Sequence, residues 1–173
     1  MVERLTTSIV LYGEIDSSNS DKWLYFYNYV LNFIKSINLS PNYMAVSNES
    51  IKSSKISPIK RVEKNLLSAI ENKEEISSLS IYSLPDKFET AAFDYNAYIC
   101  RTNRLKYSHI IITLPIEIYK KIDYKQLIAG LENFIELQSG EIFNMSNLES
   151  PQLYASKANA PSTFKTLDVT ANF

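Results

Sequence analysis

The most restrictive stretch of the chain is Ile110-Ile111-Ile112. Neighbouring residues of a β-strand point to opposite faces of its sheet, so this run is apolar on both faces. Such a strand belongs at the centre of a sheet that is covered on both sides. The segments before it behave differently. In 76–84, Leu79 and Ile81 alternate with Ser80 and Tyr82. In 91–101, Phe93, Tyr95, Ala97 and Ile99 alternate with Asp94, Asn96, Tyr98 and Cys100. Alternation of this kind predicts one buried face and one more polar face. Pro85-Asp86 separates these two strands, and Thr102-Asn103-Arg104 leads into a third over 106–114.

Further elements follow from periodicity and punctuation. Residues 7–15 and 42–47 read as strands, rich in β-branched and aromatic side chains. Between them, Trp23, Phe26, Tyr27, Val30, Leu31 and Ile34 keep the spacing of an amphipathic helix, with Ser18 and Asp21 as a capping-box start. Ser57-Pro58 predicts a second helix, with Ser57 as N-cap and the stripe Ile59, Val62, Leu66, Ala69 and Ile70. Asn48 to Ser57, rich in Ser and Lys, reads as a loop. Asp123 predicts the cap of a third helix carrying Leu127, Leu131, Phe134 and Ile135, with Gly140 closing it. A short strand is expected over Glu141 to Met145. The order β-α-β, α-β-β-β-α-β predicts an α+β fold: a single, largely antiparallel sheet of about five to six strands with three helices mainly on one face. Residues 1–146 are expected to form one domain. Residues 147–173 are expected to lie on it as an extended tail, with one strand near Thr163 to Val169.

Composition removes whole classes of chemistry. Of 173 residues, 45% are hydrophobic and 21% charged, as in globular proteins. One cysteine, Cys100, excludes an intrachain disulfide framework and cysteine-based zinc sites. One histidine, His109, excludes metal sites built on two. Three glycines exclude glycine-rich phosphate loops. Ser108 adjoins His109, but neighbours on a strand face opposite ways and form no nucleophile–base pair. Cys100 has no readable neighbour that would lower its pKa. No catalytic residue, metal or cofactor is predicted, and the chain is not expected to be an enzyme. A formal net charge of -1 and the lack of an RNP-type basic-Gly-aromatic pattern argue against direct nucleic-acid binding. The most apolar window, Trp23 to Ile34, is too short to span a bilayer, which takes about 20 residues. The start, Met1-Val2-Glu3-Arg4, shows no basic-then-apolar export pattern, so a cytoplasmic location is expected.

Two features read as binding surfaces. From Leu131 to Ser150 there are four glutamates, Glu132, Glu136, Glu141 and Glu149, and no Lys or Arg. Glu132 and Glu136, four apart, are expected to share a helix face, a patch able to steer a basic partner. The second feature is aromatic. Among twelve tyrosines, Tyr82 and Tyr98 alternate with buried positions and, with Asp94 and Asn96, are expected to line a polar-aromatic sheet face. Tyr25, Tyr29 and Phe33 lie off the main stripe of the first helix, where a homodimer contact is expected if the chain assembles.

A small acidic α+β chain with an early WLYFYNYVLNFI helix, no export signal and no catalytic motif resembles the immunity proteins of bacterial polymorphic-toxin and contact-dependent growth inhibition systems. The resemblance covers roughly residues 7–145 and lies in the architecture, so it transfers no individual residue. It implies a protein that binds one cognate toxin domain and blocks its active site, the acidic patch fitting a basic nuclease. The competing expectations are a subunit of a larger bacterial or phage assembly, and a carboxylate-dependent enzyme.

Overall fold

The computed structural model describes residues 3–48, 55–87, 93–104 and 106–173. Most of the loop expected over Asn48 to Ser57, and the start of the strand expected over 91–101, fall outside these residues. The strands are β1 (Leu5–Glu14), β2 (Tyr43–Asn48), β3 (Ser57–Pro58), β4 (Ile76–Ser83), β5 (Ala97–Thr102), β6 (His109–Pro115), β7 (Glu136–Ser146) and β8 (Asp168–Asn172). The helices are α1 (Ser20–Ser36), α2 (Ile59–Glu71), α3 (Ile116–Tyr119), α4 (Tyr124–Leu131) and α5 (Pro151–Ala155). All eight strands join one sheet in the order β3-β2-β4-β5-β6-β1-β7-β8, and every pairing is antiparallel.

The expectation of five to six strands and three helices is therefore corrected to eight strands and five helices. The additional strands are edges. β3 has two residues, and β8 comes from the C-terminal segment at Asp168–Asn172, overlapping the strand expected near Thr163 to Val169 at Asp168 and Val169. The additional helices, α3 and α5, have four and five residues. Elements this short hold no full period of an apolar pattern, so periodicity does not reveal them.

The isoleucine run sits where its two-faced character requires. β6 lies between β5 and β1, and all seven of its residues are buried. Ile110 and Ile112 face a layer made by α1, α2 and α4, together with Ile9, Leu11, Ile81, Ile99, Trp23, Phe26 and Val30. Ile111 faces the opposite side, packed with Val10, Tyr82, Tyr98, Cys100, Phe143 and Met145. That side is closed by α5 and the segments around it, through Tyr95, Tyr154, Phe164 and Leu167.

Local signals explain the helix starts. Asn19, not Ser18, caps α1 by accepting from the Lys22 N–H, with Asp21 in the first turn and Lys35 in the last. Asp123 caps α4 through the Gln126 N–H, as its position predicts. Ser57-Pro58 does not cap α2 with a side chain; it pairs with β2, and the helix starts at Ile59. Gly140 does not end a helix: α4 stops at Leu131, one 3₁₀ turn follows over Glu132–Phe134, and β7 runs through Gly140. Pairing with β1 along its whole length outweighs the helical spacing of Phe134 and Ile135. Near its end this ladder shifts register between Tyr12 and Gly13. A Cβ on Gly13 would lie 1.9 Å from the Glu136 carbonyl oxygen. The missing side chain is what lets the two backbones meet there.

Gly13→Ala forces the end of β7 away from β1 and costs on the order of 2 kcal/mol in urea unfolding. An unchanged midpoint would show that the ladder yields there freely. A second prediction concerns Glu149, whose carboxylate accepts from the Lys165 and Thr166 N–H groups and from the Thr166 hydroxyl. Burial pushes its carboxyl pKa up, but the hydrogen bonds together hold it below the ordinary 4.5. A depressed folded-state pKa means that this tether is complete above about pH 4.5 and is lost as the pH falls further. Protection of the Lys165 and Thr166 amides, measured against intrinsic exchange at each pH, should fall on such acidification, and Glu149→Gln should lower it at neutral pH.

Candidate functional site

The helical layer does not reach the end of the sheet that holds the last residues of β1 and β5 and the start of β7. An open cleft of about 570 Å³ remains there, lined by Glu14, Ile15, Asp16, Asn19, Lys22, Arg101, Glu132, Asn133, Phe134, Ile135 and Glu136. Four carboxylates stand on its rim against two cations. Glu14 and Glu136 end their strands directly opposite one another. Cross-strand like charges repel, so this pairing costs stability and raises the negative potential at the mouth. Asp16 follows β1 and accepts from the Ser18 N–H and hydroxyl; those bonds first, and then the charge of Arg101, hold its pKa below the ordinary value. Glu132 lies in the 3₁₀ turn after α4. Glu14, Asp16, Glu132 and Glu136 are all exposed and form no ion pair among the described residues. Lys22 donates to the Asn133 carbonyl at 2.6 Å.

Arg101 forms the floor of the cleft. It follows Ala97 and Ile99 on the helix side of β5 and is only 2% exposed. Its guanidinium lies 4.2 Å from the centre of the Trp23 ring, and Nε donates to the Phe134 carbonyl at 2.8 Å. The Trp23 indole N–H donates to the Ser17 carbonyl at 3.0 Å, which fixes the ring. Nη1 is buried and has no hydrogen-bond partner among the described residues. Burial pulls the Arg101 pKa down to about 10, with Asp16 opposing the shift, so the group stays charged at neutral pH. A buried cation with an unused donor leaves interaction energy for an incoming acceptor.

The structure divides the residues singled out in the sequence between two places. Glu132 and Glu136 meet at the cleft, though not on one helix face as expected: α4 has ended, and Glu136 is the first residue of β7. The remainder lie away from it. Glu141 accepts a hydrogen bond from the Tyr154 hydroxyl and so pins α5 to β7. Tyr82 and Tyr98 are buried, their ring centres 5.0 Å apart, and Tyr95 stacks on Tyr98 at 4.9 Å. Desolvation pushes the hydroxyl pKa of Tyr98 well up, and the Tyr95 hydroxyl to about 12. Asp94 forms an ion pair with Arg4 at 2.8 Å. The Asn96 N–H donates to the Ser83 carbonyl, closing the connection between β4 and β5. His109 is fully buried, its Nδ1 2.6 Å from the Tyr107 carbonyl and its Nε2 beside the Gln152 amide. Tyr25 is exposed, whereas Tyr29 packs on Phe134.

Glu14, Asp16 and Arg101 were not among the expected site residues. A signal for Arg101 was present. It continues the Ala97, Ile99 alternation, so a charge occupies a buried phase of the strand. No comparable signal marks Glu14 or Asp16, which join Glu132 and Glu136 only through the β1–β7 ladder. No group of His, Cys, Asp or Glu among the described residues is arranged to hold a metal ion, and no described helix is long and apolar enough to cross a membrane.

No family model and no curated protein matches the sequence. Among solved structures the fold is similar to that of the Pseudomonas aeruginosa T6SS protein PA0821. The TM-score is 0.52 at 10% identity, over 90% of this chain and 44% of that one. The chain thus spans less than half the length of that protein, and the likeness is one of fold.

The packing around Arg101 gives a stability prediction. Arg101→Met removes one hydrogen bond and one cation–π contact, about 1 kcal/mol each, and relieves a desolvated charge. The expected net change in urea unfolding is within about 1.5 kcal/mol of zero. A loss of ~4 kcal/mol or more would show that the guanidinium is needed to hold the fold.

Proposed function

We propose that this chain is a binding protein of the immunity type, which neutralises a cognate bacterial toxin domain by covering its active site. The observation that carries this reading is the acidic rim. Glu14, Asp16, Glu132 and Glu136, drawn from three parts of the chain, converge on one open cleft and leave their charges unpaired by any described residue. The repulsion between Glu14 and Glu136 is relieved when a basic surface docks between them. A basic nuclease fits this field, since carboxylates arrayed on a rim present the charge pattern of a phosphate backbone. The fold likeness to a T6SS protein supports a place in the same bacterial setting. No catalytic role enters this reading, and the chain is taken to act in the cytoplasm.

Co-expression with the product of the adjacent gene tests it. The expected result is a one-to-one complex by native mass spectrometry, and survival of cells that die when that product is expressed alone. No complex and no protection would remove the proposal. Replacing Glu132 and Glu136 by Lys should slow association about tenfold at low salt, with the effect shrinking as salt rises. An on-rate indifferent to both substitutions would place the interface elsewhere on the molecule.

A further inference from the structure

A purely acidic rim would select any cation. The floor beneath it adds a second requirement. Arg101 is buried to 2% exposure, is held in place by Trp23 and the Phe134 carbonyl, and has an Nη1 without a partner among the described residues. Among the described residues, its Nε–Phe134 bond is the one hydrogen bond the Arg101 guanidinium makes. Asp16 senses its charge without forming an ion pair with it, because the Asp16 carboxylate is turned to Ser18. A bare cation entering the cleft would meet favourable carboxylates at the mouth and a repelling guanidinium at the base. A bare anion would meet the reverse.

We infer that the cleft is a bipolar subsite: it takes an oxygen acceptor on Arg101 joined to a cation held by Glu132, Glu136 and Glu14. An arginine or lysine residue of a protein partner meets both demands when its side chain lies across the rim and a carbonyl or carboxylate of the same segment turns inward. The volume of about 570 Å³ suits one such residue and its backbone. This inference rests on the binding role proposed above, and it specifies what the partner must present at this point. Charge alone determines the on-rate at the rim, whereas the acceptor on a desolvated guanidinium determines how long the complex lasts.

The test uses small probes and a built-in reporter. Trp23 is the one tryptophan of the chain, and its ring lies against Arg101. L-arginine carries both required groups, agmatine lacks the carboxylate, and acetate lacks the cation. Trp23 emission should respond saturably to L-arginine with a Kd of roughly 1 mM, and agmatine and acetate should each bind at least about tenfold more weakly. Arg101→Met should erase the advantage of L-arginine over agmatine. Should that variant fail to fold by circular dichroism, Glu132→Gln with Glu136→Gln, both on exposed positions, serves instead and should erase the advantage of L-arginine over acetate. Agmatine or acetate binding as tightly as L-arginine, or no saturable response to L-arginine, overturns the inference. The two proposals fail separately. A partner complex as tight with Arg101→Met as with the unaltered chain refutes the bipolar subsite and keeps the binding role. L-arginine binding as expected with no partner complex does the opposite.

Discussion

The rest of the structure depends on a central strand that has no polar face. Every side chain of β6 is buried, and Ile110, Ile111 and Ile112 project alternately to the two sides of the sheet. Two covers are therefore obligatory. Three amphipathic helices supply one, with Trp23, Phe26, Val30 and Leu66 fully inside. The C-terminal segment supplies the other, with the side chains of Tyr154, Phe164 and Leu167 as its apolar contacts. Tyrosine suits this second layer. Its ring covers apolar surface while its hydroxyl reaches a polar partner: Tyr12 donates to the Ala155 carbonyl at 2.7 Å, and Tyr154 to Glu141.

The cleft is a consequence of where the first cover stops. α4 ends at Leu131 because the chain must turn into β7 and pair with β1. That turn places Glu132 and Glu136 beside the ends of β1 and β5, and with them Glu14, Asp16 and Arg101. The rim is exposed, so its charges cost little in isolation and remain available to a partner. The floor is desolvated, so each hydrogen bond formed there counts for more. In the proposed complex, exposed carboxylates over a buried guanidinium would give a fast, salt-sensitive encounter and a selective hold.

Much of this was legible in the residues, and the parts that were not share a cause. The strands around 76–84, 91–101 and 106–114, the helix from Trp23 to Ile34 and the Asp123 cap all rest on local periodicity or capping chemistry, and all have counterparts in the structure. Gly140 is a strand residue and not a helix end: glycine suits both a helix end and a close strand contact, and here a Cβ would strike the Phe173 ring at 2.1 Å. Tyr82 and Tyr98 sit in the phase opposite to Ile81 and Ile99, as alternation requires, but that face is covered rather than open. Alternation reports which side a residue faces and says nothing of what lies against that side.

The sequence by itself determined that the chain builds a largely antiparallel sheet with amphipathic helices. It also determined that one strand must be central, and that chemistries needing two histidines, two cysteines or a glycine-rich loop are closed to it. These follow from residue type and from spacing within one element. Only the tertiary structure decided that Glu14, Asp16, Glu132 and Glu136 share a rim, that Arg101 is their buried counterpart, and that Glu141, Asp94 and the tyrosine cluster hold the second cover in place. The physical reason is that cross-strand register and the point where a helix yields to a strand arise from long-range pairing. A one-residue change in either would send the same carboxylates to different sides of the molecule.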